Sequence, residues 1–244
     1  MPLLSVSEKL EKKIISRFQK AIYDYNLICD GDKILIGLSG GKDSLCLIDL
    51  ISRRLKINKP SFTAEALHIR MANIKYESDL SYLKDFSESR GIKFNVITTQ
   101  FDSMTDKRKS PCFLCSWNRR KQLFTKAQEL GCNKIALGHH MDDIIHTTMM
   151  NLYFQGNFST MPVRLKMRKM PLTIIRPLCL EEENDLRQYA LNNNYQKQIK
   201  LCPYETDSHR SDISIMFKHI EEMNKEARYS VWNALEKNGK LIEE

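Results

Sequence analysis

Three groups of residues in this chain have the types and spacing to do chemistry. The first is Gly37-Leu38-Ser39-Gly40-Gly41-Lys42-Asp43-Ser44, which follows the apolar run Ile34-Leu35-Ile36 and precedes Leu45-Cys46-Leu47-Ile48. A strand that enters a glycine turn and leaves as a helix presents backbone N–H groups and the positive end of a helix dipole, and both suit phosphate. Gly40 and Gly41 let the backbone approach closely, Lys42 adds a positive charge, and Ser39 and Ser44 add hydroxyl donors. Counting excludes a Walker A loop, which needs four residues between its first glycine and the Gly-Lys pair. Here three residues separate Gly37 from Gly41-Lys42, and Asp43 stands where the magnesium-binding hydroxyl belongs.

The second group is Gly138-His139-His140-Met141-Asp142-Asp143, at the start of a predicted helix. Two histidines and two carboxylates can hold magnesium, phosphate or a transferring proton, although a helix start with acids favourable to its dipole explains the same letters. The third is Cys112-Phe113-Leu114-Cys115 after Pro111, whose one-turn spacing lets both sulfurs face one metal. Cys202, in a predicted loop, is the best candidate for a third thiolate. Four readings stay open: a 4Fe-4S cluster with one iron not held by protein, zinc with His209 as fourth ligand, a redox pair, or inert thiols. Cys29, Cys46, Cys132 and Cys179 lie in or beside apolar runs and are expected to be buried structural thiols.

The elements that must position these groups are legible from periodicity. Residues 33–38, 63–69, 93–98 and 134–137 read as strands, alternating with helices over 43–55, 78–89 and 113–130. This alternation predicts an α/β fold with a doubly wound, mainly parallel sheet, whose ligand crevice lies beyond the carboxyl ends of the strands. The segments 39–44, 69–73, 99–115 and 138–143 all fall there and should converge. Residues 7–28 form an amphipathic N-terminal helix; 142–153, 183–192 and 212–237 are predicted helical, and 173–175 is a short strand. The chain is therefore divided into 1–29, a helix packing on the core; 30–180, the nucleotide domain with a cysteine-pair insertion; and 181–244, a helical C-terminal extension carrying Cys202.

With 244 residues, 42% of them apolar, the chain suits one large domain. No segment has the length of a membrane span and no signal-like segment is seen, so a cytoplasmic protein without a disulfide framework is expected. The net charge of +8 is clustered. Arg164, Lys166, Arg168, Lys169 and Arg176 occur with no acid between them, and Lys107, Arg108, Lys109, Arg119, Arg120, Lys121 and Lys126 bracket the cysteine pair, opposed locally only by Asp102 and Asp106. Such clusters suit a polyanion such as RNA, and equally a solvated surface.

The first motif resembles the Ser-Gly-Gly-x-Asp-Ser pyrophosphate loop (PP-loop) of the N-type ATP pyrophosphatases, the adenine nucleotide alpha hydrolase-like fold. The second resembles the Gly-His-His-x-Asp-Asp segment of their tRNA-modifying branch. Pro111-Cys112-Phe113-Leu114-Cys115 with Arg119-Arg120 is similar to the Cys-x-x-Cys-x-x-x-Arg-Arg segment of the tRNA 2-thiocytidine synthetase (TtcA) family, and Arg176-Pro177-Leu178 to that family's Arg-Pro-Leu. The likeness runs from about residue 10 to 205 in the family's order. Two departures stand out. His68-Ile69-Arg70 replaces Asn-Leu-Asp, and Cys202-Pro203-Tyr204-Glu205 replaces a Cys-containing Gly-Ser-Gln segment.

The resemblance implies ATP-dependent thiolation of a cytidine in the tRNA anticodon loop, with AMP and pyrophosphate released. It further implies magnesium, a 4Fe-4S cluster on Cys112, Cys115 and Cys202, a sulfur donor such as a cysteine desulfurase, no membrane partner, and an assembly that can be a homodimer. ATP would be held by Ser39, Gly40, Gly41, Lys42, Asp43, Ser44, His68, Gly138, His139, Asp142 and Asp143, with Asp43 and the three cysteines catalytic. The alternatives are an amidating or lysidine-type ATP pyrophosphatase and a nucleotide-dependent RNA-binding protein without turnover.

Overall fold

Strand β1 (Lys33–Gly37) buries Ile34, Leu35 and Ile36 in succession, the pattern of a central parallel strand covered on both faces. It belongs to a computed structural model that describes residues 5–72, 75–77, 79–100, 110–196, 199–201 and 209–244. Ahead of it, α1 (Val6–Asp24) starts at a capping box in which Ser5 Oγ accepts from the Glu8 N–H at 3.2 Å and Glu8 Oε2 accepts from the Ser5 N–H at 2.7 Å. Its buried face is Ile14, Phe18, Ala21 and Ile22, spaced as an amphipathic helix requires. The helix stops at Asp24, short of the expected residue 28, because Asn26 turns the chain with φ +49°.

After β1 come α2 (Lys42–Leu55), β2 (Thr63–Met71), β3 (Lys75–Glu77), α3 (Leu80–Glu88), β4 (Lys93–Thr99), α4 (Pro111–Glu129), β5 (Lys134–Ala136) and α5 (Met141–Gln155). The remainder is β6 (Arg164–Lys166), β7 (Thr173–Ile175), α6 (Glu183–Asn192), β8 (Ile199–Leu201), α7 (His209–Met223), α8 (Ala227–Lys237) and β9 (Ile242–Glu243). The main sheet has the order β4-β2-β1-β5-β7-β6-β9; its first five strands are parallel, and β6 runs antiparallel to β7. The doubly wound sheet expected from the alternation is thus present, with two additions. The C-terminal extension is not purely helical, since β9 joins β6, and β3 pairs with β8 in a separate antiparallel ribbon.

Connections leave β1 toward β2 on one side and reach β5 on the other, so a crevice opens between the turns that follow β1 and β5. Segments 1–29, 30–180 and 181–244 contribute to one core: Ile14, Ile36, Leu186, Phe217 and Trp232 belong to the same buried cluster. A polar pin crosses it. Asp49 of α2 accepts from Tyr189 of α6 at 2.6 Å, from Arg53 at 3.0 Å and from Arg90 at 2.9 Å. Burial opposes the charge on Asp49, but these three donors hold its carboxyl below the ordinary range. Among the described residues no helix is long and apolar enough to cross a membrane.

Candidate active site

The glycine turn after β1 keeps its shape through its own serines. Gly40 has φ +82°, a conformation that glycine adopts without strain. Ser44 Oγ donates to the Gly41 carbonyl at 2.8 Å and accepts from the Gly40 N–H at 3.1 Å, while Ser39 Oγ accepts from the Gly41 N–H at 3.2 Å. Ser44 is buried, so its hydroxyl shapes the loop where a direct phosphate donor was expected. Gly41 caps α2 without a side-chain hydrogen bond, which leaves the first-turn N–H groups of α2 for an anion. Lys42 Nζ lies 2.9 Å from Asp43 and 3.6 Å from Glu183, so the loop's cation rests on two carboxylates.

The turn after β5 presses on this loop from the other side of the crevice. A Cβ at Gly138 would lie 3.1 Å from the carbonyl carbon and oxygen of Asp43 and 3.2 Å from the Ser44 nitrogen, so any larger residue would push the loop backbone back by a few tenths of an ångström. His140 N-caps α5, its N–H donating to Asp143 Oδ2 at 3.1 Å. The two adjacent histidines differ in their surroundings. Burial, then the Arg176 guanidinium, brings His139 down to about 4, whereas burial of His140 is outweighed by the Asp142 carboxylate, 3.4 Å from Nδ1, and by the charges of Asp143 and Asp43, which raise it. His139 is thus a neutral group, and the carboxylates around His140 shift it in the opposite direction.

Asp142 lies at the same turn and is already engaged by partners. Its carboxylate lies 2.7 Å from Arg228 of α8 and accepts from the Glu183 N–H at 2.9 Å, joining α5 to α8 and α6. Burial opposes its charge, yet His140, Arg228 and that N–H together hold the carboxyl well below the ordinary range. Arg228→Ala would strand this carboxylate in the interior and is expected to cost about 3 kcal/mol, as broken buried pairs do. Urea denaturation of both proteins at pH 7 measures it; an unchanged midpoint contradicts this role. A depressed folded-state pKa contributes stability that is fully present above the unfolded value near 4 and is lost as pH falls through the folded value. The wild-type advantage should therefore shrink below about pH 4.

Among the described residues three cavities touch the loop: one of about 480 Å³ runs past Lys42, Leu45, Arg187 and Tyr195, and two reach the turn after β5. One, of about 310 Å³, has apolar walls from Leu38, Leu67, Ile69, Leu123 and Leu137, with Ser39, Arg119, Arg120 and His139 at its polar side. Its flat apolar lining suits a purine. The other, of about 340 Å³, is lined by Lys42, Asp43, His140, Asp143, Glu183 and Arg210, and its oxygen donors suit a hard cation such as magnesium. Arg210 of α7 pairs with Asp143 there. Glu183 and Arg210 were not singled out in the sequence. Glu183 sits in an acidic triplet that reads as a helix start, and no local signal marks Arg210. His68, between two cavity-lining residues of β2, is buried with Nδ1 2.8 Å from the Leu38 carbonyl, so it braces the entry to the loop.

The cysteine pair opens α4. Ser110 caps this helix, its Oγ accepting from the Phe113 N–H at 3.2 Å, and Pro111 occupies the first turn. Cys112 is exposed; Cys115 is half-buried beside Leu114 and the buried Met71, the last residue of β2. One to two turns on, Ser116, Arg119, Arg120 and Leu123 of the same helix wall the apolar cavity. Soft donors at a helix N-terminus, where the dipole favours the negative charge of a ligating thiolate, fit an iron–sulfur group.

Cys202 lies outside the described residues. Leu201, which precedes it, pairs with Lys75, and β3 follows Met71 closely along the chain. Among the described residues no three potential ligands gather as a metal site, so His209 does not join the cysteine pair; it stacks on Phe154 at 4.9 Å.

Two expectations from the sequence need correction. Cys29 is exposed, with Sγ 3.8 Å from Lys134 Nζ, whereas Cys46, Cys132 and Cys179 are buried as expected. Arg176, grouped with the surface cations, is buried and donates to the Pro162 carbonyl; burial lowers it to about 10. The fold also supplies acids that the local sequence lacks, pairing Arg164 with Glu244 and placing Arg168 3.8 Å from Glu243.

Comparison with known proteins places these features in context. A family described as a PP-loop domain matches residues 10–199. The chain is 32% identical over 237 residues to a tRNA-cytidine(32) 2-sulfurtransferase of Geobacter metallireducens, covering 94% of this chain and 91% of that protein. It is also 32% identical to a tRNA-cytidine(32) 2-sulfurtransferase 1 of Francisella tularensis subsp. novicida, covering 93% and 86%. Among solved structures, the U34-tRNA thiolase NcsA from Methanococcus maripaludis, with its [4Fe-4S] cluster, superimposes with a TM-score of 0.80 at 26% identity, covering 95% of this chain and 79% of that one.

Proposed function

We propose a tRNA-thiolating activity from the following premise: this chain belongs to the PP-loop family, on the branch of the tRNA-cytidine 2-sulfurtransferases. It activates the C2 carbonyl of an anticodon-loop cytidine with ATP and replaces the carbonyl oxygen by sulfur. The observation that carries this reading is the double duty of α4, which opens with Cys112 and Cys115 and then walls the cavity beside the pyrophosphate loop. This shared helix supports activation and sulfur delivery at one crevice.

Adenine occupies the apolar cavity, with Ser39 and His139 toward the phosphates. The first-turn N–H groups of α2 and the Lys42 ammonium hold the β and γ phosphates, and Lys42 exchanges its carboxylate partners for them. The base oxygen attacks the α phosphorus, the bond to the bridging oxygen breaks, and pyrophosphate leaves. The α5 N-terminus behind Gly138 adds positive potential where charge develops on the leaving group. Magnesium, when bound, neutralises phosphate charge; Asp43 and Asp143 supply its oxygen ligands.

A 4Fe-4S cluster, when bound by Cys112, Cys115 and Cys202, supplies sulfur in nucleophilic form. The protein's contribution to that second stage is position: α4 fixes the distance between thiols and cavity, and Arg119 and Arg120 face the departing AMP. A sulfur donor such as a cysteine desulfurase reloads the site.

Anaerobically purified protein, mixed with ATP, magnesium, a sulfide source and tRNA from cells lacking it, should release pyrophosphate only when tRNA is present and produce a single thionucleoside by mass spectrometry. Pyrophosphate release without a thionucleoside would instead indicate an amidating enzyme; no release would indicate a binding protein.

A further inference from the structure

The outer face of α4 carries a feature that neither ATP nor the thiols use. Phe113 and Trp117 lie one turn apart on this helix and are 49% and 52% exposed. Lys121, another turn on, places Nζ 5.5 Å from the centre of the Trp117 ring. The first acid of α4 is Glu129, at its far end, and it pairs with Lys126 at 3.0 Å. Arg120 and Lys121 thus stand near Trp117 with no carboxylate of their own helix to neutralise them. The helix is also held in place: Asn118 accepts from Thr99 at 3.1 Å and donates to the Gln100 carbonyl at 3.0 Å, fixing its rotation on β4.

Burying these two rings would account for a protein contact, but the adjoining cations would then need acidic partners. A single-stranded nucleic acid satisfies both features, because bases stack on aromatic faces while phosphates meet the cations. We propose that Trp117, with Phe113 beside it, is a stacking platform for an unpaired RNA base next to the nucleoside being modified. This rests on the tRNA reading above and specifies where the loop docks. Cys112 precedes Phe113 directly and Arg120 follows Trp117 within a turn, so a base stacked here leaves its neighbour at the mouth of the cavity. An arriving phosphate draws the Lys121 ammonium off the ring and opens its face.

The test uses the whole protein with a stem-loop RNA carrying an unpaired anticodon-type loop, and a blunt duplex of equal length as control. The chain has two tryptophans, and Trp232 is buried, so exposed-tryptophan fluorescence reports Trp117. The stem-loop should quench this fluorescence and the duplex should not. Trp117→Ala should weaken stem-loop binding roughly tenfold, Trp117→Phe should recover most of it, and duplex binding should change less than about twofold. Equal stem-loop affinity in Trp117→Ala overturns the platform while the tRNA reading stands, as does an equal loss on duplex. A change of oligomeric mass in Trp117→Ala would assign the rings to a second copy of the chain. Failure of the wild-type protein to bind the stem-loop overturns the RNA reading itself.

Discussion

Cys112→Ala is expected to abolish tRNA thiolation, by more than about a hundredfold and so beyond the loss typical of a residue that only supports a metal ligand, while ATP binding persists. The side chain is exposed at the start of α4, and the cavity walls supplied by that helix begin at Ser116. An exposed thiol contributes little buried surface, so the melting temperature should move little. Cys115→Ala should lose thiolation equally but also cost some stability, since Cys115 packs beside the buried Met71. Iron and sulfide content, measured anaerobically, should fall in both variants. Pyrophosphate release separates the two halves of the reaction: if Cys112→Ala still produces pyrophosphate with tRNA, activation precedes and does not need the thiols. Thiolation at the wild-type rate by Cys112→Ala would remove the cysteine pair from the mechanism.

The activation half of the site was legible because its signals are local. The apolar run of β1, the glycine turn and the start of α2 are contiguous, and the closeness of the turn after β5 follows from the rule that ligands gather at the point where strand order reverses. Identical letters hid different roles. His139 and His140 read alike, yet one faces Arg176 and the other faces carboxylates, and only the fold decides which way each is shifted. Asp142 and Asp143 read as a pair of ligands, whereas the first is committed to Arg228, which arrives from far along the chain.

Strands of two or three residues, β3, β6, β8 and β9, are too short to show a period. Ser44 shows the same limit at atomic scale: its type was right for a phosphate loop, but whether the hydroxyl serves ligand or loop depends on distances of a few tenths of an ångström. The fold was legible in its parallel core and obscure at its edges. In the candidate site, the convergence of the motifs was legible and the contacts that each side chain makes were not.

Lys42→Ala is expected to lower the rate of pyrophosphate release by roughly 10²–10³, as removal of one preorganised charge from a developing anion does. Without ATP, Lys42 Nζ is held between Asp43 and Glu183, a geometry that keeps it at the mouth of α2 without fixing it to either carboxylate. ATP brings a stronger acceptor, and the ammonium follows the charge that grows on the bridging oxygen as the bond to the α phosphorus breaks. The loss should therefore appear more in kcat than in the KM for ATP, because the first-turn N–H groups of α2 still bind the ground-state phosphates. Stability should change little, since the side chain is partly exposed and its pairs are solvated. Lys42→Arg should rescue only in part, as a planar guanidinium cannot take the compact position of an ammonium between two carboxylates. Binding of tRNA, measured separately, should be unaffected by either change. If Lys42→Ala raises KM alone and leaves kcat intact, the lysine binds ATP uniformly, and the acceleration must come from the two helix N-termini.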